Sequence, residues 1–123
     1  MNILAEYFAI ELHPQIIDAA LGMHGAGRYG AQCGLVEGPL MFIGIWGRKH
    51  KLSDDDSCDL CNEFARQFEL QFGSLLCSVL RPGGFKEDDP PHLCTPLTHK
   101  AVAFAIRFIE HFQSSQEQTK KSV

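Results

Sequence analysis

The residues best suited to chemistry are five cysteines: Cys33, Cys58, Cys61, Cys77 and Cys94. An odd number excludes complete pairing within one chain. In a reducing compartment, cysteines at this density serve as metal ligands, redox thiols or small core residues more often than as permanent crosslinks. Cys33 and Cys94 stand near the expected starts of two helices, where unpaired N–H groups and the helix dipole favour a thiolate. That is the form that ligates metal, attacks disulfides or is oxidised. Cys77 follows Phe72-Gly73, so the chain turns just before it and can bring it toward the other two. Cys58 and Cys61 form CxxC, three apart on a helix and nearly on one face. A thioredoxin-type dithiol would need a preceding strand, and haem attachment a histidine where Asn62 stands. Half of a zinc or iron–sulfur site stays open. Asp54, Asp55, Asp56 and Asp59 oppose a thiolate at Cys58, which favours a structural reading with Cys61 in the core. His24 lies in a glycine loop, and His92 and His99 bracket Cys94. Each is a candidate ligand or proton carrier, although loop histidines are more often plain surface residues.

Helices must position these side chains. Residues 3–12 have helical spacing, with Ile3, Leu4, Tyr7 and Phe8 on one side. His13-Pro14 breaks the run and opens a second short helix, with Ile16, Ile17, Ala20 and Leu21 apolar and Gly22 as its stop. A glycine-dense loop with Gly25, Gly27 and Gly30 follows. It matches neither GxGxxG after a strand nor a Walker loop, and it predicts a tight reversal at positive φ. The third helix is expected over about 31–46. Gly34 and Gly38 lie four apart on one face, so another backbone can approach. Pro39 predicts a kink, and Gly47 predicts the end, with Arg48, Lys49 and Lys51 favouring the negative pole.

Ser53 with Asp54, Asp55 and Asp56 is a strong helix start. Leu60, Phe64, Phe68 and Phe72 make that helix's buried stripe, and Gly73 ends it. Residues 74–80 predict a short helical turn, and 81–92 (RPGGFKEDDPPH) a loop. Thr95-Pro96 opens the last helix, with Val102, Ala105, Ile106, Ile109 and Phe112 expected to be buried. From Gln113 the chain turns polar and predicts a disordered tail. No strand alternation is present. The expectation is an all-α single-domain bundle of about five helices over 1–112, with 113–123 as tail.

The 123-residue length suits one core. A net charge of −4 gives no reason to expect nucleic acid. The longest apolar run, Pro39 to Trp46, falls well short of the roughly 20 residues that span a bilayer. The opening stretch MNILAEYFAIE lacks a basic leader, so a cytoplasmic protein is expected.

The chain resembles the family named for its cysteine pattern, C_GCAxxG_C_C, which carries a CGAxxG motif. The matching residues are Cys33-Gly34-Leu35-Val36-Glu37-Gly38. The loop from Gly22 to Gly30 is similar to the family's glycine-rich loop. FELQFGSLLC, Phe68 to Cys77, is similar to its helix ending in Phe-Gly-Ser and a cysteine, and Cys94 to its final cysteine. The resemblance spans about Phe8 to Phe112. It implies redox or metal chemistry at Cys33, Cys77 and Cys94, since similar domains are associated with iron–sulfur clusters. Leu35 replaces the motif's alanine and Pro39 a helix-former. The family's first cysteine would align at or just before Met1. A three-cysteine site could be completed by His24, by Cys61, by an exogenous thiol or by a second subunit.

Three readings follow. The first is a small redox or iron–sulfur protein for electron transfer or redox sensing, with an unidentified redox partner. The second is a non-catalytic helical interaction module, with the glycine-faced third helix as a homodimer seam. The third is a structural zinc site using Cys58 and Cys61 with Cys77 or a histidine. No substrate pocket can be argued from the sequence, so no turnover reaction is predicted.

Overall fold

The structure, a computed structural model, describes residues 1–80 and 95–121. It is all-α. Among the described residues there are six right-handed helices: α1 Asn2–Tyr7, α2 Pro14–Ala20, α3 Gly34–Lys49, α4 Asp54–Phe72, α5 Cys77–Leu80 and α6 Thr95–Lys121. A single additional turn, Gly25–Arg28, winds the other way.

α3 and α4 form an antiparallel hairpin at the centre. Three contacts along it show the direction. Gly47 lies against Ser57, the Cys61 thiol meets the Leu40 carbonyl, and Cys33 pairs with Leu75. Ser53 caps α4 through the Asp56 N–H, and Gly73 closes it in the left-handed region at φ 89°. Both agree with the sequence. Leu60, Phe64 and Phe68 of the expected stripe are buried, while Phe72 is only half-buried. α6 covers this hairpin, and α1 packs on α3 and α6.

Several boundaries differ from the expectation. α1 stops at Tyr7 rather than 12. Ala9 turns left-handed at φ 54°, so its N–H reaches Glu6 and the Ile10 N–H reaches Ala5. That double closure is normally made with glycine. Burial of Ile10 accompanies it here. α3 begins at Gly34, which leaves Cys33 as its N-cap, and it runs on to Lys49. Gly47 does not end it. Lys51, at φ 63°, closes it instead, with the Leu52 N–H bonded to the Gly47 carbonyl. Gly47 is buried where α4 crosses. α3 also continues through Pro39 as one element. Its ring occupies a buried position on the core side.

α6 continues to Lys121, where a frayed tail was expected from Gln113. The stretch from Gln113 to Lys121 contains no glycine or proline, so nothing in the sequence halts an established helix. The buried side of α6 is rotated from the expected stripe. Ala105 and Ile109 are buried, but Phe104 and Phe108 join them, while Val102, Ile106 and Phe112 are only partly covered. The reason is aromatic. Phe104 and Phe108 meet Phe64, Phe68 and Phe72 of α4 at centroid distances of 5.3–6.0 Å, three of those pairs edge-to-face, a favoured arrangement of rings.

Candidate functional site

The site is built on a backbone pairing that no alternation pattern announces. Residues 31–33, just before α3, run antiparallel to 75–77, which lead into α5. The Cys33 N–H donates to the Leu75 carbonyl at 2.8 Å, and the Cys77 N–H to the Ala31 carbonyl at 2.8 Å. Gln32 stands opposite Leu76. Side chains alternate across such a pair, so Cys33 and Cys77 project to one face and Gln32 and Leu76 to the other. Burial agrees: Cys33 is 6% exposed, Cys77 is half-buried, and Leu76 is 46% exposed. Cys33 is opposite Leu75 rather than Cys77. The two cysteines are therefore diagonal neighbours, roughly 7–8 Å apart in a regular ladder.

Cys33 caps α3 from extended backbone at φ −69° and ψ 140°. Its carbonyl accepts the Val36 and Glu37 N–H groups at 2.9 and 3.0 Å. The thiol therefore stands at the positive pole of a 16-residue helix. Glu37 lies in the first turn, and burial pushes its carboxyl above the ordinary range.

The glycine loop clasps this pairing. Gly25, Ala26, Gly27 and Arg28 have φ values of 61°, 53°, 65° and 66° in succession, one turn of left-handed helix. The sequence predicted positive φ for the glycines, and Gly25, Gly27 and Gly30 show it. It did not predict Ala26 and Arg28, which lack glycine's freedom. The Gly25 carbonyl accepts three N–H groups, from Tyr29, Gly30 and Ala31, at 2.8, 3.0 and 3.2 Å. The Gly25 N–H donates to Gln32 at 2.7 Å, and the Ser78 N–H reaches the Gly30 carbonyl at 3.2 Å. Gly25 also lies against Cys77: a Cβ at Gly25 would stand 3.8 Å from the Cys77 Cβ.

The motif glycines make close approaches. A Cβ on Gly34 would stand 2.7 Å from the His24 Cβ, so only glycine fits directly after Cys33. A Cβ on Gly38 would meet Met1 at 3.4 Å. The face expected to seat a second subunit is thus approached at both glycines by the chain's own N-terminal segments. His24 is exposed beside the first turn of α3, and His99 is exposed on α6. A cavity of about 140 Å³ lies next to that turn, lined by Leu4, Gly34, Leu35, Pro39, Ala101 and Ala105 among others. Pro39 has no N–H, so the Leu35 carbonyl on this wall lacks its ordinary intrahelical donor.

Cys58 and Cys61 sit elsewhere. The Cys61 Sγ donates to the Leu40 carbonyl at 3.7 Å, roughly 10 Å along α3 from Cys33. Burial, and then the neighbouring Cys58, push the Cys61 thiol above its ordinary value. That disfavours the thiolate a zinc ion requires. Cys58 is exposed. Cys94 and His92 lie outside the described residues. Among the described residues, no group of three or more His, Cys, Asp or Glu side chains could hold a metal ion.

An iron–sulfur cluster ordinarily takes four thiolates. The described residues bring two to a common face, so by themselves they do not make a cluster site. What two neighbouring thiols can do unaided is exchange with disulfides. No curated protein and no solved structure matches this chain. A family model does, over residues 1–108, and its description is "Putative redox-active protein (C_GCAxxG_C_C)". Those residues include the glycine turn, the Cys33 motif and the Cys77 segment whose pairing builds the site, and the chain belongs to that family.

Proposed function

We propose that the protein is a small redox protein whose working groups are the thiols of Cys33 and Cys77, with Cys94 as a third member. The observation that carries this reading is the reciprocal pairing of 31–33 with 75–77. It holds two cysteines, far apart in sequence, on one face. Cys33 adds the field of a helix N-terminus, which favours the reactive thiolate. Redox sensing or electron transfer suits the arrangement better than turnover, because among the described residues no set of acid, base and substrate-positioning groups converges on the thiols. Zinc at Cys58 and Cys61 receives no support, since Cys61 is half-buried against the Leu40 carbonyl.

The test is anaerobic purification followed by thiol titration, metal analysis and an absorbance spectrum, on the wild type and on Cys33→Ser and Cys77→Ser. Each substitution is expected to remove the same redox response or the same bound metal, since the two residues serve one centre. A colourless, metal-free protein whose thiols titrate independently, and whose Cys33→Ser variant differs only in stability, would point to a helical interaction module instead. An iron signal lost in both variants would add a cluster, with the remaining donors supplied from outside the described residues.

A further inference from the structure

We infer that Cys33 and Cys77 are the two halves of one reversible disulfide, and that closing it releases the left-handed turn Gly25–Arg28 that the same backbone pairing holds shut. This deepens the redox reading and rests on it. The argument begins with spacing. A disulfide needs Cα atoms about 4.4–6.8 Å apart, while diagonal neighbours in an antiparallel pair stand at roughly 7–8 Å. The bond can form, but only if 31–33 slides against 75–77. The hydrogen bond from Cys33 to Leu75 must give way, and with it those from Cys77 to Ala31 and from Ser78 to Gly30.

Those bonds anchor the far side of the turn. Gly30 and Ala31 donate to the Gly25 carbonyl, and Gly25 touches Cys77. The turn itself is under tension. Ala26 at φ 53° and Arg28 at φ 66° occupy a conformation that opposes their Cβ atoms. A segment that is strained and held only by neighbours relaxes when those neighbours move. Exposure fits such a device: residues 26–29 are all exposed, while Gly25 and Gly30 at the two ends are buried.

The chemistry balances with a low-molecular-weight disulfide as oxidant. The half-buried Cys77, as thiolate, attacks one sulfur of the oxidant, whose S–S bond breaks and releases a first thiol. The Cys33 thiolate then attacks the Cys77 sulfur of the mixed disulfide and releases the second thiol. One S–S bond forms within the protein and one breaks in the oxidant. The oxidant's sulfurs gain two electrons, and the two protons from Cys33 and Cys77 end on the released thiols.

Arg28 supplies the readout, because trypsin cuts after it. The full chain is treated anaerobically with dithiothreitol or with glutathione disulfide. Cleavage of the Arg28–Tyr29 bond is then timed by mass spectrometry, and the disulfide is mapped on non-reduced peptides. We expect a Cys33–Cys77 crosslink and cleavage at least about tenfold faster in the oxidised protein, as for a segment that opens locally. Cys77→Ser should keep the slow reduced rate and lose the response. Ala26→Gly, which relieves the strain without touching a thiol, should form the crosslink and show a smaller acceleration. A mapped Cys33–Cys77 bond with unchanged cleavage overturns the inference, as does a crosslink to a different cysteine. Either result leaves the redox reading standing. Inert thiols in a metal-bearing protein also overturn the inference alone, whereas inert thiols in a metal-free protein sink both.

Discussion

Gly34 is the tightest point of the site. A methyl group there would stand 2.7 Å from the His24 Cβ and 3.4 Å from its Cα, so backbone as well as side chain would have to move. Gly34 is the first residue of α3, so alanine has little helix propensity to gain there against the overlap. Forcing atoms into occupied space costs about 1–3 kcal/mol. Gly34→Ala is therefore expected to lower stability by about 1–2 kcal/mol in urea unfolding. A stabilised variant would mean that His24 is not held where the structure places it. Glu63 illustrates a second residue-scale effect. Hydrogen bonds first from Arg66 and then from Gln67 hold its carboxyl down to about 2, from an ordinary 4.5. Because the folded-state value is depressed, its contribution is complete above pH 4.5 and is lost as pH falls toward 2. The groups are on the surface, so the effect is small and screened by salt. The thermal midpoint of the wild type should fall faster between pH 5 and pH 2 than that of Arg66→Gln. Parallel acid limbs would show that the pair does not persist in solution.

The α3–α4 hairpin depends on a crossing that one glycine permits. A Cβ at Gly47 would approach the Ser57 Oγ to 2.6 Å and the Leu52 Cδ1 to 3.4 Å. Gly47→Ala gains helix propensity of about 1 kcal/mol and meets a hydroxyl that has only one rotation with which to escape. The single variant is expected to be destabilised by about 1 kcal/mol, within the usual range for overpacking. Adding Ser57→Ala should remove the clash and bring the double variant above Gly47→Ala. The two changes should therefore couple rather than add in a thermodynamic cycle. Additive effects would mean that the helices cross elsewhere. The same hairpin matters to the site, because it delivers the start of α3 and the end of α4 to one end of the molecule. The backbone pairing of Cys33 and Cys77 forms only there.

The molecule as a whole is held by one contiguous core, with Phe42, Ile43, Trp46, Phe64, Phe68, Ala105 and Ile109 fully or nearly fully buried. Phe64 lies at its middle, touching Phe68, Phe104 and Phe108 at 6.1, 5.5 and 5.3 Å between centroids. Phe64→Ala is expected to cost about 3–5 kcal/mol by calorimetry or denaturant titration. That is a large share of the 5–15 kcal/mol typical of a domain. A loss below 1 kcal/mol would show that α6 does not pack on α4 as described. None of the described helices is long and apolar enough to cross a membrane. Several large apolar side chains remain exposed, among them Leu21, Met23, Tyr29, Leu76 and Val79.

Local chemistry decided much of this protein before any folding. Ser53 ahead of three aspartates starts α4 and Gly73 stops it, because capping and glycine's left-handed freedom act within one turn of chain. The spacing of Leu60, Phe64 and Phe68 selects a buried face for the same short-range reason. The cysteine types, the placement of Cys33 near a helix start and the glycine density of the turn were equally legible. Tertiary contacts settled the rest. Ala9 and Lys51 end their helices without glycine, because the residues that follow gain burial or a bond by turning back. Phe104 and Phe108 displaced Val102 and Ile106 from the core because the rings of α4 were there to meet them. The union of 31–33 with 75–77 joins residues more than forty apart. No window of sequence contains both strands, so only the packing of α3 against α4 could bring Cys33 to Cys77.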